Sequence, residues 1–214
     1  MAVIAPALLC ESEDDYKATI ERLHPFAERV HIDMADGEFA PTFTVGVDKL
    51  WWPQEWTVDI HAMVARPSEY VAALINLKPN LVIFHAEAQE DLAPTLQRLR
   101  QAGIKAGIAL LKPTVPSTVK EYIELADHAM VFSGDLGHYG GEASLMQLEK
   151  VRLIRGIHPE VEVGWDGGAN VHNVFSLAQG SVDVINVGGA INKAADPQAV
   201  YDQMVSEVNK RGVI

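Results

Sequence analysis

"TVDIHAMVARPSEYVAALINLKPNLVIFHAE", Thr57 to Glu87, is the stretch on which the fold turns. Its ends, "TVDIHAMV" and "LVIFHAE", are short runs rich in Val, Ile and other residues that suit a strand buried on both faces. Between them, "SEYVAALINL" places its apolar residues at the spacing of an amphipathic helix. A strand, a helix and a second strand of this kind call for a parallel pair joined by a crossover.

The same unit repeats in both directions. Upstream, "VIAPALL" is followed by a helical "EDDYKATIERL", and "RVHIDM" by a short irregular piece around Val47 to Trp52. Downstream, "LVIFHAE" leads into "DLAPTLQRLRQA", "KAGIALL" into "STVKEYIELA", and "HAMVFS" into "ASLMQLEKVRLIRG". "VEVGWD" then leads into "NVHNVFSLAQ", and "VDVINVG" into "PQAVYDQMVSEVNK". Eight strand-like runs in 214 residues predict an α/β chain folded as a single (β/α)8 TIM barrel spanning residues 1–214, with an open doubly wound sheet as the alternative. Gly103, Gly156 and Gly180 follow helical segments, where a left-handed cap residue is expected.

Composition narrows the function. A 48% hydrophobic, 21% charged chain has enough apolar material for one substantial core. A formal net charge of −12 argues against nucleic acid or an anionic membrane as partner, since both attract clustered Lys and Arg. Cys10 is the only cysteine, so no intrachain disulfide or multi-cysteine metal site can form, and a reducing, cytoplasmic setting is expected. No run reaches the ~20 apolar residues of a membrane span, and no secretory leader is recognisable.

In a parallel barrel, chemistry collects at the C-terminal ends of the strands. The second run ends with His31 and Asp33, the third with His61 and Met63, the fourth with His85 and Glu87, and the seventh with Asp166. Residues two apart in a strand share a side, so His31 and Asp33 can face one cavity, as can His61 and Met63. A lone strand histidine is ordinarily a core residue bonded to backbone. Convergence of His31, Asp33, His61 and Asp166 instead suits one divalent cation, with Zn2+, Fe2+, Mn2+ and Co2+ all compatible. A buried carboxylate without a cation or donor costs several kcal/mol, which favours the convergent reading. His85 and Glu87 fit structural support of the mouth as well as substrate contact. Glycine pairs close the last strand ends: Gly140-Gly141 in "GHYGGE", Gly167-Gly168 in "DGGAN" and Gly188-Gly189 in "VGGAIN". Glycines there let backbone N–H groups approach a phosphate.

In these motifs the sequence resembles the ribulose-phosphate 3-epimerases, from "IAPALL" through "HIDMADGEFAP", "DIHAM", "FHAEA" and "KAGIALLKPTVP" to "WDGGAN" and "VGGAI". The resemblance implies a (β/α)8 enzyme acting on a small sugar phosphate, with His31, Asp33, His61 and Asp166 holding the metal. It further implies that Asp33 and Asp166 act as paired acid and base on opposite faces of the substrate, and that Met63 keeps the site apolar. Several positions depart from the family pattern. Ala7 stands where serine is usual, and Ala35 where a methionine is usual, unless Met34 replaces it. The loop from Leu136 to Gly141 carries His138 and Tyr139, and Gly189 lacks the usual hydroxyl. A 3-epimerase of ribulose 5-phosphate, or of a related phosphate such as allulose 6-phosphate, is therefore expected. A metal-dependent aldolase and a non-catalytic sugar-phosphate binder are the alternatives. Trp51, Trp52 and Trp56 suit barrel packing or a contact within a homo-oligomer.

Overall fold

The computed structural model describes residues 2–210. The ends of the domain expected over 1–214, namely residue 1 and residues 211–214, lie outside the described residues. Eight strands, β1 (Val3–Leu8), β2 (Arg29–Ala35), β3 (Thr57–Met63), β4 (Leu81–His85), β5 (Lys105–Leu110), β6 (His128–Phe132), β7 (Glu162–Asp166) and β8 (Val184–Val187), pair in parallel. β8 also pairs with β1, so the sheet closes into a barrel and the open-sheet alternative is excluded.

The helices are α1 (Glu13–Leu23), α2 (Pro67–Leu77), α3 (Ala93–Gln101), α4 (Lys120–Leu125), α5 (Leu148–Ile157), α6 (Val174–Gln179), α7 (Gly189–Asn192) and α8 (Pro197–Val208). Their starts follow local chemistry. Ser12 caps α1 by accepting from the Asp15 N–H at 3.2 Å, and Glu13, Asp14 and Asp15 sit where the helix dipole favours negative charge. Tyr16, Thr19, Ile20 and Leu23 then form its buried stripe, at helical spacing. No α-helix connects β2 to β3; a 3₁₀ turn, Val47–Lys49, lies in that irregular connection. Among the described residues no helix is long and apolar enough to cross a membrane.

Strand alternation divides the core in two. Val30, Ile32 and Met34 of β2 belong to the large apolar layer between sheet and helices, together with Ile60, Phe84 and Trp165. Burying one such aliphatic side chain is worth about 1.5–3 kcal/mol, which is the main force holding helices on the barrel. The other face of β2 carries Arg29, His31, Asp33 and Ala35 into the barrel. Met34 therefore lies on the wrong face to replace the methionine missing at Ala35. Inside the barrel, Leu81, Ile83, Ala109, Met130 and Phe132 form a separate packed layer. Gly164 makes room there, since a Cβ on it would stand 2.3 Å from His128 Nε2.

At the N-terminal ends of the strands the barrel is plugged by charge. Arg29 donates to Asp59 at 2.6 Å and to both Glu162 oxygens at 2.9 and 2.8 Å, while His128 meets Glu162 at 2.8 Å. Burial alone would raise the Glu162 pKa, but Arg29 and His128 outweigh it and hold the carboxyl well below the usual range. Of the three expected left-handed caps only Gly103 has a positive φ, 78°; Gly156 lies inside α5, and Gly180 ends α6 at φ −75°. After α6 the left-handed residue is Ser181, one place later, at φ 65°. Trp56 is buried in the barrel core and Trp52 packs partly against it, whereas Trp51 is 48% exposed with its edge against Tyr16.

Candidate active site

The β2–β3 register sets Asp33 beside His61, and the register of β6, β7 and β8 sets Asp166 between Phe132 and Asn186. Asp33 and Asp166 thus reach the same rim from β2, which pairs with β1, and from β7, which β8 separates from β1. His61 Nδ1 lies 2.9 Å from Asp33 Oδ1 and 3.5 Å from Asp166 Oδ2. His31 Nε2 lies 3.4 and 3.6 Å from the same two oxygens. All four expected ligands therefore meet, each offering one atom within 4.8 Å of the others.

These residues fit a divalent cation. Separations of 2.9 to 3.6 Å are those of atoms sharing one ion through bonds of about 2.0–2.2 Å. His31 is fully buried and its Nε2 has no hydrogen-bond partner, so a nitrogen lone pair aimed at two carboxylates needs either a proton or a cation. Without a metal the proton answers. Burial alone would lower the His31 pKa, but Asp166 and Asp33 outweigh it and raise it to about 10. Burial likewise works against ionisation of Asp33, yet His31 and His61 bring its pKa down to about 2.

Behind the four clustered residues, His61 Nε2 stands 2.8 Å from His85 Nε2. His85 is wholly buried between Phe39 and Phe132, and burial lowers its pKa to about 4 despite Glu87 nearby, so its ring is neutral at pH 7. Glu87 accepts from the Leu111 N–H at 2.9 Å and from the Thr114 hydroxyl. Asp36, which shares the polar stretch with His31 and Asp33, turns away from the cluster. Its carboxylate accepts from the N–H groups of Glu38, Phe39 and Ala65 at 2.7 to 2.9 Å and so ties the loops after β2 and β3 together.

Above the cluster opens a cavity of about 290 Å³ whose floor includes Asp33, Met63 and Asp166. All six glycines read from the sequence line it: Gly140, Gly141, Gly167, Gly168, Gly188 and Gly189. The pair after β7 has a structural duty that the sequence pattern does not separate from ligand binding. Gly167 (φ 102°) and Gly168 (φ 71°) are left-handed, and Cβ atoms on them would stand 2.0 Å from Gly134 N and 2.1 Å from Ala143 N. Only glycine lets the β7 loop seat against the β6 loop. Gly167→Ala is expected to push these loops apart, raising KM for a phosphorylated substrate more than it lowers kcat, and lowering the melting temperature; steady-state kinetics and thermal unfolding check both.

Among the lining residues not named as site residues from sequence, three bring polar groups that bear on the chemistry. The Tyr139 hydroxyl accepts from the Leu9 N–H at 2.6 Å and donates to Ala7 O at 3.3 Å. Its ring occupies the space where a Gly188 side chain would stand, 2.6 Å from that Cβ position. Tyr139 thus brings a hydroxyl to the strand end where Ala7 has none. Asn186 lines the cavity with its Oδ1 buried and unpartnered. Among the described residues Lys193 is the only Lys or Arg in the lining. The signal for Tyr139 was present as a departure in "LGHYGG"; nothing in the pattern around Lys193 marks it.

The sequence profile described as the Ribulose-phosphate 3 epimerase family matches residues 3–192. The chain belongs to the ribulose-phosphate 3-epimerase family. The ribulose-phosphate 3-epimerase of Escherichia coli (strain K12) is 30% identical over 225 residues, covering 97% of this chain and 96% of the relative. That of Schizosaccharomyces pombe is 28% identical over 217 residues, covering 98% and 95%. In three dimensions the chain is similar to 3-hexulose-6-phosphate synthase from Salmonella typhimurium, with TM-score 0.71, 16% identity and coverage of 96% and 97%. That likeness concerns the barrel alone. The ribulose-phosphate 3-epimerase family consists of carbohydrate epimerases, so this chain is an isomerase.

Proposed function

We propose that this chain inverts C3 of ribulose 5-phosphate, giving xylulose 5-phosphate, by two-base proton transfer through an enediolate. The observation that carries the reading is the pair Asp33 and Asp166, brought from β2 and β7 to the floor of one cavity around His31 and His61. A divalent cation held by His31, Asp33, His61 and Asp166 supplies charge that stabilises an enediolate and acidifies the neighbouring C–H.

The residues divide the remaining work. Each aspartate turns one oxygen, Asp33 Oδ1 and Asp166 Oδ2, toward the histidines. Its other oxygen is left to carry a proton. One carboxylate takes the C3 proton while the C–H electron pair enters the enediolate; the other gives a proton to the opposite face, and the stereocentre inverts. Met63 and Phe132 keep water from the floor, which strengthens these electrostatic effects. The glycine backbones and Lys193 receive the phosphate, which a chain of net charge −12 must hold at a locally positive place.

Incubation of metal-loaded protein with ribulose 5-phosphate in deuterated water is expected to place deuterium at C3 and yield xylulose 5-phosphate. Absence of exchange with this sugar and with allulose 6-phosphate would refute the reading; C–C cleavage products would assign an aldolase instead. Tight binding with turnover near background would assign a binder.

A further inference from the structure

His85 ends β4 and Glu87 follows it, yet neither lines the cavity, and of the four proposed ligands His85 stands within hydrogen-bonding distance of His61. The two imidazoles meet Nε2 to Nε2 at 2.8 Å, so one of these nitrogens carries the shared proton. On its far side, His85 Nδ1 faces Glu87 Oε2 at 3.4 Å, and both atoms are buried without another hydrogen-bond partner.

Two proton arrangements are available, and they are not equivalent. If His61 gives its Nδ1–H to Asp33, its Nε2 must accept from His85. His85 then turns a bare Nδ1 lone pair toward the Glu87 carboxylate, which leaves two buried acceptors facing each other. If instead His61 Nδ1 is bare, its Nε2–H donates to His85 Nε2, and His85 Nδ1–H points at Glu87. The facing lone pairs then move to His61 Nδ1 and Asp33 Oδ1, 2.9 Å apart, where a cation between them turns the repulsion into ligation. The second arrangement leaves the His61 Nδ1 lone pair free on the side where Asp33 and Asp166 converge.

We infer that His85 and Glu87 are positioning residues that act through His61, holding it in the tautomer whose Nδ1 binds a divalent cation. The inference rests on the metal reading of the site and deepens it. Glu87 is suited to the end of such a row because the Leu111 N–H, at 2.9 Å, and the Thr114 hydroxyl fix its carboxylate. Outer partners of ligating histidines set ring orientation and ligand basicity in just this way.

The test is metal affinity. Apo protein and the variants His85→Phe, His85→Gln and Glu87→Gln are titrated with Zn2+ against a chromogenic chelator, and the melting temperature of each apo form is measured alongside. Phe suits a pocket already formed by Phe39 and Phe132 but offers no acceptor. His85→Phe is expected to bind Zn2+ about 10- to 100-fold more weakly with an apo melting temperature at or above the parent's. Glu87→Gln weakens binding in the same direction, and His85→Gln, whose amide oxygen can accept, recovers part of the loss. Wild-type affinity in both His85→Phe and Glu87→Gln overturns the inference, as does a loss of affinity matched by collapse of apo stability in both. If the parent protein takes up no cation, the metal reading itself falls, a result distinct from a parent that binds and variants that bind equally well.

Discussion

Asp166→Asn is expected to slow epimerisation by about 10³-fold or more, since a positioned acid or base contributes roughly 10²–10⁴ by itself. The substitution is nearly isosteric, and the backbone pairing of Asp166 with Phe132 and Asn186 does not involve the side chain, so the barrel persists. An amide keeps an oxygen that can face a cation but cannot take a proton from carbon. The informative readout is asymmetry. With two bases, each aspartate serves one face of C3, so Asp33 alone can still remove and return the proton of one epimer. Deuterium exchange in that epimer should therefore survive much better than interconversion, and Asp33→Asn should preserve exchange in the opposite epimer. A single carboxylate serving both faces predicts that exchange and epimerisation fall together in one variant and hardly change in the other. Proton NMR of each pure sugar phosphate in deuterated water distinguishes the cases, with metal content measured on the same samples.

Much of this site could be read before any coordinates, and the reasons are local. Period-two alternation in "RVHIDM" and "TVDIHAM" places His31 with Asp33 and His61 with Met63, and the barrel rule sends those strand ends to one rim. The same alternation puts Met34 on the face opposite Asp33, so the failure of Met34 to replace the methionine missing at position 35 was legible too. What could not be read depends on register and on contacts distant in sequence. The His61–His85 contact exists because β3 and β4 pair with His61 opposite Ile83, two residues before His85, and no spacing within either strand encodes that offset. Tyr139 reaches Leu9 across 130 residues, from a loop whose composition says only that it turns. The glycine pair after β7 looked like a phosphate cradle, but a left-handed backbone pressed against the β6 loop demands the same residues. Two physical requirements with one sequence signature cannot be separated until the neighbouring loop is placed.

Removal of metal should abolish turnover, and the pH behaviour of the stripped protein should reveal what replaces it. The pKa of His31 is raised to about 10 because, against the cost of burial, Asp166 and Asp33 favour the imidazolium. The apo site at neutral pH therefore holds a proton where the cation would bind. Folded His31 keeps that proton up to pH of about 10, whereas an unfolded His loses it near 6.5. The native state thus binds more protons than the unfolded state in this window, so the His31 contribution to apo stability is fully present below 6.5 and is lost as pH rises toward 10. Asp33 acts oppositely: its pKa of about 2 gives stability that is present above 3.8 and disappears only as pH falls through about 2. Metal affinity must run against the His31 trend, since each bound cation displaces the proton from His31. Over pH 7 to 9 the apparent association constant should rise about tenfold per unit, with release of about one proton per ion. Chelator competition at several pH values, and calorimetry in buffers of differing ionisation enthalpy, measure the slope and the proton count separately. A flat affinity profile with no proton release would mean that His31 is already neutral in the apo protein, and that the two carboxylates do not hold it charged.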